Sequence, residues 1–176
     1  MKEGKVIFIT GGARSGKSRF GLRLADNIYI SEDTPKKAYI ATAEALDKEM
    51  KERIERHKKE RSKDWTVFEE PLNLTSLLKE IDKIYDVILI DCLTLWLSNP
   101  LMHNKDIKAE IESLVALLPD IQCSLCIISN EVGLGIVPEN NLARKFRDLS
   151  GYMNERIAEI AHEAYLVISG IPLRLK

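Results

Sequence analysis

The chain of 176 residues has no apolar run that approaches the ~20 residues required to cross a bilayer. Residues 1–4 lead directly into a β-branched segment, so we expect no signal peptide and a cytoplasmic location. The formal net charge is only -1, which removes the overall electrostatic attraction that many nucleic-acid-binding proteins use. We therefore expect neither a membrane span nor a nucleic-acid partner.

Cysteine is scarce, with three residues in the chain, and an odd number does not suit a disulfide framework. Cys123 and Cys126 have the Cys-x-x-Cys spacing, but they lie in a run with the composition of a β-strand. Residues three apart in a strand point to opposite faces of the sheet. The sequence therefore favours buried thiols over a metal knuckle or a redox pair.

Internal repeats, low-complexity segments and interdomain linkers are also missing. The composition is 45% hydrophobic and 30% charged, which is ordinary for a globular protein. A chain of this length fits one sizeable hydrophobic core. We predict a single nucleotide-binding catalytic domain over residues 1–176.

Residues 11–18 fill the Gly-x4-Gly-Lys-Ser template of a phosphate-binding loop. Glycines let the backbone curl with its N–H groups directed inward, and the lysine adds a positive charge at the β- and γ-phosphates. The alternative is a glycine-rich turn without a ligand. The predicted nucleotide-binding residues of the loop are Gly11, Gly12, Ala13, Arg14, Ser15, Gly16, Lys17 and Ser18.

The segments that flank this loop have the order that phosphate binding requires. Residues 5–10 are β-branched and apolar, as in a buried strand, and residues 19–27 have the periodicity of a helix. The amino terminus of that helix would point at the bound anion. This context favours the phosphate-binding interpretation.

Residues 86–91 form an apolar strand that ends in a carboxylate, the pattern of a Walker B element. Such a carboxylate would hold the Mg²⁺ shell opposite the hydroxyl of Ser18, and we predict Ser18 and Asp91 as metal ligands. An acidic residue after an apolar strand is also common by chance. The phosphate-binding loop upstream favours the functional interpretation.

Strands and helices alternate along the rest of the chain. Further strands are predicted at 37–42, 65–68, 123–130 and 165–169, with an antiparallel edge at 170–176 and helices at 72–84, 106–118 and 139–164. The last helix is predicted to break at Gly151, and the segment with Pro100 and His103 is predicted to be a loop. This alternation predicts an α/β fold of the P-loop NTPase type: a doubly wound, mostly parallel, RecA-like sheet with helices on both faces.

A predicted helix at 46–61 carries a cationic stripe on the face that also bears its apolar residues. Arg53, His57 and Arg61 lie in or beside that stripe. A neutral imidazole there is able to attack the α-phosphorus of a nucleoside triphosphate, expelling pyrophosphate and leaving a nucleotidyl-histidine. The alternative is a half-buried structural histidine beside Ile54.

The loop at 131–140 contains two glycines, one proline and two carboxylates after a predicted strand. Open α/β sheets bind their ligands at the carboxyl ends of strands, so this loop is either a binding loop or an ordinary connector.

Taken together, these motifs resemble the bifunctional adenosylcobinamide kinase / adenosylcobinamide-phosphate guanylyltransferase family of cobalamin biosynthesis. The resemblance covers nearly the whole chain, and its segments occur in the family's order. They are residues 10–18, 39–42, 46–47, 49–50, 53–54, 57–58, 130–133, 135–140, 146–148 and 169–171.

This resemblance implies two activities. A nucleoside triphosphate, ATP or GTP, phosphorylates adenosylcobinamide; GTP then guanylylates a histidine, and the GMP passes to adenosylcobinamide phosphate. The guanylylated histidine of the family falls on His57, and we take His57 and Lys17 as the predicted catalytic residues. Some members have a second histidine immediately before the nucleophile, where this chain has Arg56.

The resemblance also implies further nucleotide contacts and an assembly. Family members are trimers with an active site between subunits, which implies a homo-oligomer here. Glu131 and Trp96 are candidates for contacts with the corrinoid. The nucleotide-contacting positions outside the phosphate-binding loop are Ala41, Thr42, Ala43, Lys58, Lys59, Glu60, Arg61, Glu69 and Asp91.

Two other functions remain open at this point. One is a monofunctional small-molecule kinase in which His57 is structural. The other is a nucleotide-dependent switch or binding module without transfer chemistry.

Overall fold

A computed structural model describes residues 4–28, 35–44, 64–103 and 106–176. The strands are β1 (Val6–Gly11), β2 (Lys37–Ala41), β3 (Trp65–Glu69), β4 (Val87–Asp91), β5 (Ser124–Ile128), β6 (Glu163–Ile168) and β7 (Ile171–Arg174). The helices are α1 (Lys17–Asp26), α2 (Leu74–Ile81), α3 (Leu93–Met102), α4 (Ile107–Leu117) and α5 (Asn141–Ile160), and a 3-10 turn covers Leu118–Asp120. The predicted helix at 46–61 lies outside the described residues.

These strands form one sheet in the order β3-β2-β4-β5-β1-β6-β7. Every neighbouring pair is parallel except β6 and β7, so the antiparallel edge predicted at the end of the chain is confirmed. β5 lies between β1 and β4, which separates the strand that enters the phosphate-binding loop from the strand that ends at Asp91.

The two faces of the sheet carry two apolar layers, because side chains alternate along each strand. On β1, Ile7 and Ile9 pack in the layer that receives α1, whereas Val6 and Phe8 pack in the layer that receives α2, α3, α4 and α5. The predicted doubly wound, mostly parallel sheet with helices on both faces is therefore confirmed. None of the helices in the described part of the chain combines the length and hydropathy that a membrane crossing requires.

α1 lies close to the sheet at Gly21. A Cβ atom at this position would lie 2.9 Å from Ile128 Cδ1 and 3.2 Å from Leu89 Cδ1. The absence of a side chain therefore lets the helix that follows the phosphate-binding loop seat directly on β4 and β5.

Two local predictions are wrong. The segment containing Pro100 is the last part of α3. Leu93, Trp96 and Leu97 of this helix are fully buried on the sheet, and the free energy gained by burying them exceeds the loss of the one hydrogen bond that proline cannot donate. α5 continues without a break through Gly151, which is exposed. A glycine lowers the stability of a helix by only about 1 kcal/mol relative to alanine. The burial of the α5 residues on either side of Gly151 stabilises the helix by more than that.

We expect Leu114→Ala to lower the free energy of unfolding by about 2–5 kcal/mol, since this α4 side chain is fully buried in the larger apolar layer. Equilibrium unfolding in urea measures the change. Leu134→Ala is the matched control, because Leu134 is 86% exposed and its loss should cost less than about 0.5 kcal/mol. Equal destabilisation by the two variants would contradict the described core.

Candidate active site

The backbone at residues 11–16 makes a tight curl at the carboxyl end of β1. Gly11 has φ 149°, and a Cβ atom there would lie 2.3 Å from the carbonyl oxygen of Val167 on the neighbouring strand. Arg14 and Gly16 have left-handed φ values of 54° and 94°. This sequence of conformations turns the chain from the buried strand into α1, with glycine at the two positions where a side chain is disfavoured most.

Segments on both sides hold this curl in place. The N–H of Glu131, just after β5, donates to Gly11 O at 2.9 Å, and the N–H of Gly170, between β6 and β7, donates to Ser15 O at 2.8 Å. The loop is therefore fixed to the sheet through its own carbonyls, which leaves its exposed residues 12–14 facing outward.

Lys17 is the first residue of α1 and is only 6% exposed. Its Nζ donates to Gly12 O at 2.6 Å and lies 3.5 Å from Ser15 Oγ. The ammonium group is thus held within the curl of the loop, on a side chain that belongs to the first residue of α1. A buried cation and a helix amino terminus at one place form an anion-binding site.

Three predicted nucleotide-contacting residues lie side by side at the carboxyl edge of the sheet. Ala41 on β2 is in register with Glu69 on β3 and with Asp91 on β4. The structure therefore brings together positions that are far apart in the sequence, and it places them on the same edge as the phosphate-binding loop. Ala43 is half-buried just beyond this row.

Asp91 is half-buried, and its Oδ2 accepts a hydrogen bond from the hydroxyl of Tyr39 at 2.7 Å. That bond orients the carboxylate and does not engage Oδ1. Ser18 lies half-buried in the first turn of α1. One carboxylate and one hydroxyl fit Mg²⁺, which takes few protein ligands and completes its shell with waters and substrate phosphates.

Thr42 joins the ends of β2 and β4 instead of presenting its hydroxyl to solvent. The side chain is fully buried; its Oγ1 donates to Cys92 O at 2.7 Å and accepts from Cys92 N at 2.9 Å. Asn99 of α3 donates to Thr42 O at 2.8 Å and to Pro71 O at 3.0 Å. Sequence reasoning missed Asn99, although an asparagine inside an otherwise apolar segment is a signal for such a bond.

A buried polar network behind the end of β5 was also missed. Ser129 Oγ donates to Asn154 Oδ1 at 2.7 Å and lies 3.3 Å from Thr94 Oγ1. Thr94 Oγ1 also accepts from Asn130 N at 2.7 Å, and Asn154 Nδ2 donates to Asn130 O at 3.1 Å. These bonds fix the residue that immediately precedes Glu131.

The predicted nucleophile cannot be placed relative to this edge, because His57, Lys58, Lys59, Glu60 and Arg61 lie outside the described residues. Trp96 belongs to the described part and has no exposed surface. The hypothesis that Trp96 contacts the corrinoid is therefore wrong.

The cysteines do not form a metal or redox site. Cys123 packs in the apolar layer that receives α5 and Cys126 in the layer that receives α1, so the predicted opposite orientation is confirmed. Burial, with the nearby Asp91 carboxylate, raises the pKa of Cys92 to about 11, and burial raises the pKa of Cys126 to about 12. No cluster of three or more His, Cys, Asp or Glu side chains that could hold a metal ion occurs among the residues that the structure describes.

The sheet order, the glycine curl and the buried lysine at the start of α1 define a P-loop NTPase fold, as the sequence predicted. Two solved structures share that fold. The flagellar accessory protein FlaH from Methanocaldococcus jannaschii has a TM-score of 0.57 and 17% identity, with 100% of this chain and 80% of that chain covered. A KaiC-like protein from Pyrococcus horikoshii OT3 has a TM-score of 0.51 and 14% identity, with 94% and 72% covered.

Sequence comparison defines the family within this class. The model of the CobU family, cobinamide kinase / cobinamide phosphate guanyltransferase, matches residues 7–175, and the chain belongs to this family. The bifunctional adenosylcobalamin biosynthesis protein CobU of Escherichia coli strain K12 is 38% identical, with 97% of this chain and 99% of that protein covered. Its counterpart CobP of Pseudomonas aeruginosa is 39% identical, with 96% and 95% covered. The resemblance stated from the motifs is confirmed.

We expect the three thiols to react slowly with a disulfide reagent such as DTNB at pH 8 in the folded protein. The thiolate is the reactive form, and burial disfavours it at Cys92, Cys123 and Cys126. Absorbance at the reagent's product wavelength follows the reaction, and denaturation in guanidinium should release all three thiols. Rapid modification of any thiol in the folded protein would contradict this burial.

Proposed function

We propose that this chain phosphorylates adenosylcobinamide with a nucleoside triphosphate, and then transfers GMP from GTP to adenosylcobinamide phosphate through a guanylyl-histidine on His57. The observation that carries the proposal is the closed phosphate-binding loop around Lys17 in a chain that belongs to the CobU family. The loop explains triphosphate binding, and the family motifs supply the two reactions.

In the proposed phosphorylation, the acceptor hydroxyl attacks the γ-phosphorus and the nucleoside diphosphate leaves. Lys17 and the N–H groups at the start of α1 stabilise the negative charge that develops on the transferred phosphoryl group. The hydrogen bond from the Lys17 ammonium to Gly12 O keeps this charge at the loop. Mg²⁺ held by Ser18 and Asp91 would supply additional charge neutralisation when it is bound.

In the proposed transfer, an imidazole nitrogen of His57 attacks the α-phosphorus of GTP. A P–N bond forms, the bond to the bridging oxygen breaks, and pyrophosphate leaves. An oxygen of adenosylcobinamide phosphate then attacks the same phosphorus, forming a P–O bond as the P–N bond breaks. Arg53 and Arg61, from the same predicted helical stripe, would favour the neutral imidazole and the charged phosphoryl oxygens.

The remaining site assignments form part of the same proposal. Nucleotide contacts come from the edge that carries Ala41, Asp91 and Glu69 and from Ala43 beside it, whereas Thr42, which is fully buried, stabilises that edge through its bonds to Cys92. Lys58, Lys59, Glu60 and Arg61 are assigned by family motif. We further propose that one cytoplasmic domain carries both activities and that it works as a homo-oligomer, a trimer by family resemblance.

We expect His57→Ala to abolish covalent labelling of the protein by α-labelled GTP, because it removes the attacking nitrogen. The wild-type label should survive denaturation, be released by acid and resist alkali, as a phosphoramidate does. Scintillation counting of the denatured protein measures it. His103→Ala is the matched control, since His103 is an exposed histidine at the end of α3, and it should retain the label.

Absence of a covalent label from the wild-type protein would leave only a monofunctional kinase. Absence of both label and phosphorylation of adenosylcobinamide would leave a nucleotide-dependent binding module. Labelling that persists in His57→Ala would assign the nucleophile to another residue.

We expect Lys17→Ala to lower the kcat of adenosylcobinamide phosphorylation by about 10²–10³-fold, the usual effect of removing one preorganised charge-stabilising group. A coupled assay for the nucleoside diphosphate follows the rate. Lys79→Ala, which removes an exposed lysine on α2, is the matched control and should keep the wild-type rate. A near wild-type rate in Lys17→Ala would contradict the role assigned to this loop.

A further inference from the structure

We propose that Glu131 is the general base that accepts the proton of the acceptor hydroxyl in the phosphorylation step. This inference rests on the proposed kinase activity and adds a catalytic residue to it. The sequence had suggested Glu131 only as a corrinoid contact.

Glu131 lies at the edge of the sheet between the phosphate-binding loop and the strand that ends at Asp91. It follows β5, which is the strand between β1 and β4. Its N–H donates to Gly11 O at 2.9 Å, so its backbone is bonded to the first residue of the phosphate-binding loop. On the other side of β5, Asp91 is in register with Ile128. A side chain at position 131 therefore starts from the edge of the sheet between the loop and Asp91.

The backbone that carries this residue is held on three sides. Ser129 N donates to Ile9 O at 2.9 Å, which continues the pairing with β1. Asn130 is held through its N–H by Thr94 and through its carbonyl by Asn154, both in buried or half-buried positions. Burying polar groups costs free energy unless each of them is hydrogen-bonded. A general base must be held within reach of the proton that it accepts, and a fixed backbone provides that placement.

Within the described part of the chain, the hydrogen bond of the Glu131 carboxylate engages one of its two oxygens. The residue is half-buried at the rim, and its Oε1 accepts the N–H of Gly133 at 2.7 Å. Within the described ranges, no lysine, arginine or histidine forms an ion pair with it. Asp91 lies across β5 from this residue, and its Oδ2 is bonded to the Tyr39 hydroxyl. We therefore assign metal binding to Asp91, whose carboxylate is oriented by the Tyr39 hydroxyl, and proton transfer to Glu131.

The two reactions differ in whether the acceptor must lose a proton. This difference distinguishes a general base from a residue that only maintains the shape of the site. In phosphorylation, the acceptor oxygen forms a bond to the γ-phosphorus, the γ-phosphorus–oxygen bond to the nucleoside diphosphate breaks, and the hydroxyl proton must go to a base. In guanylyl transfer, the acceptor is a phosphate monoester that is already ionised at neutral pH. The transfer therefore needs no base for its acceptor, and Glu131 serves one reaction of the two.

The test uses Glu131→Gln in the full chain, because glutamine keeps the side-chain size and an oxygen that accepts the Gly133 N–H. Both reactions are measured on one preparation: phosphorylation of adenosylcobinamide, and transfer of GMP from GTP to supplied adenosylcobinamide phosphate. We expect the kcat of phosphorylation to fall about 10²–10³-fold with little change in the nucleotide KM, and the transfer rate to stay within about twofold. Glu80→Gln, on the exposed face of α2, is the matched control and should leave both rates unchanged.

The ratio of the phosphorylation rate to the transfer rate decides the outcome. A selective fall of this ratio in Glu131→Gln supports the base. An unchanged ratio overturns it, whether both rates survive or both fall through misfolding of the loop. Failure of the proposed function would look different, because the wild-type protein itself would then lack phosphorylation.

Discussion

The turn that leaves β1 at Gly11 is the constraint on which the site depends. The carbonyl of Val167 lies where a Cβ atom would be, so the chain passes between β5 and β6 only with glycine at this position. The same close approach allows Glu131 and Gly170 to donate to the loop from opposite sides. The anion-binding curl is therefore a product of the sheet order as much as of the glycines in the loop.

Polar groups concentrate behind this edge in a layer that is otherwise apolar. Ser129, Asn154 and Thr94 are bonded to one another or to the backbone of Asn130, whereas Thr10 Oγ1 and Ser150 Oγ have no partner within the described part of the chain. Such groups lower stability compared with aliphatic side chains, so their presence points to a requirement for precise backbone placement. The strand ends that they support are those that carry the loop and Glu131.

The two proposed reactions use one phosphate-binding loop but require different residues beside it. In the proposed mechanism the loop and Lys17 stabilise phosphate charge, proton removal is needed only for the alcohol acceptor, and a covalent nucleophile is needed only for guanylyl transfer. The proposal divides these tasks among Lys17, Glu131 and His57. The row of Asp91, Ala41 and Glu69 extends along the carboxyl edge of the sheet, away from the loop.

The sequence by itself determined the features that have local causes: the strand–loop–helix order around the phosphate-binding loop, the opposite orientation of Cys123 and Cys126, the antiparallel end of the chain and the family. Tertiary structure decided what depends on burial between distant segments. α3 continues through Pro100 and α5 through Gly151 because packing on the sheet exceeds local propensity, and Trp96 is buried for the same reason. The positions of Asn99 and Glu131 followed only from the strand order, since no local pattern tells which segments meet at the edge of a sheet.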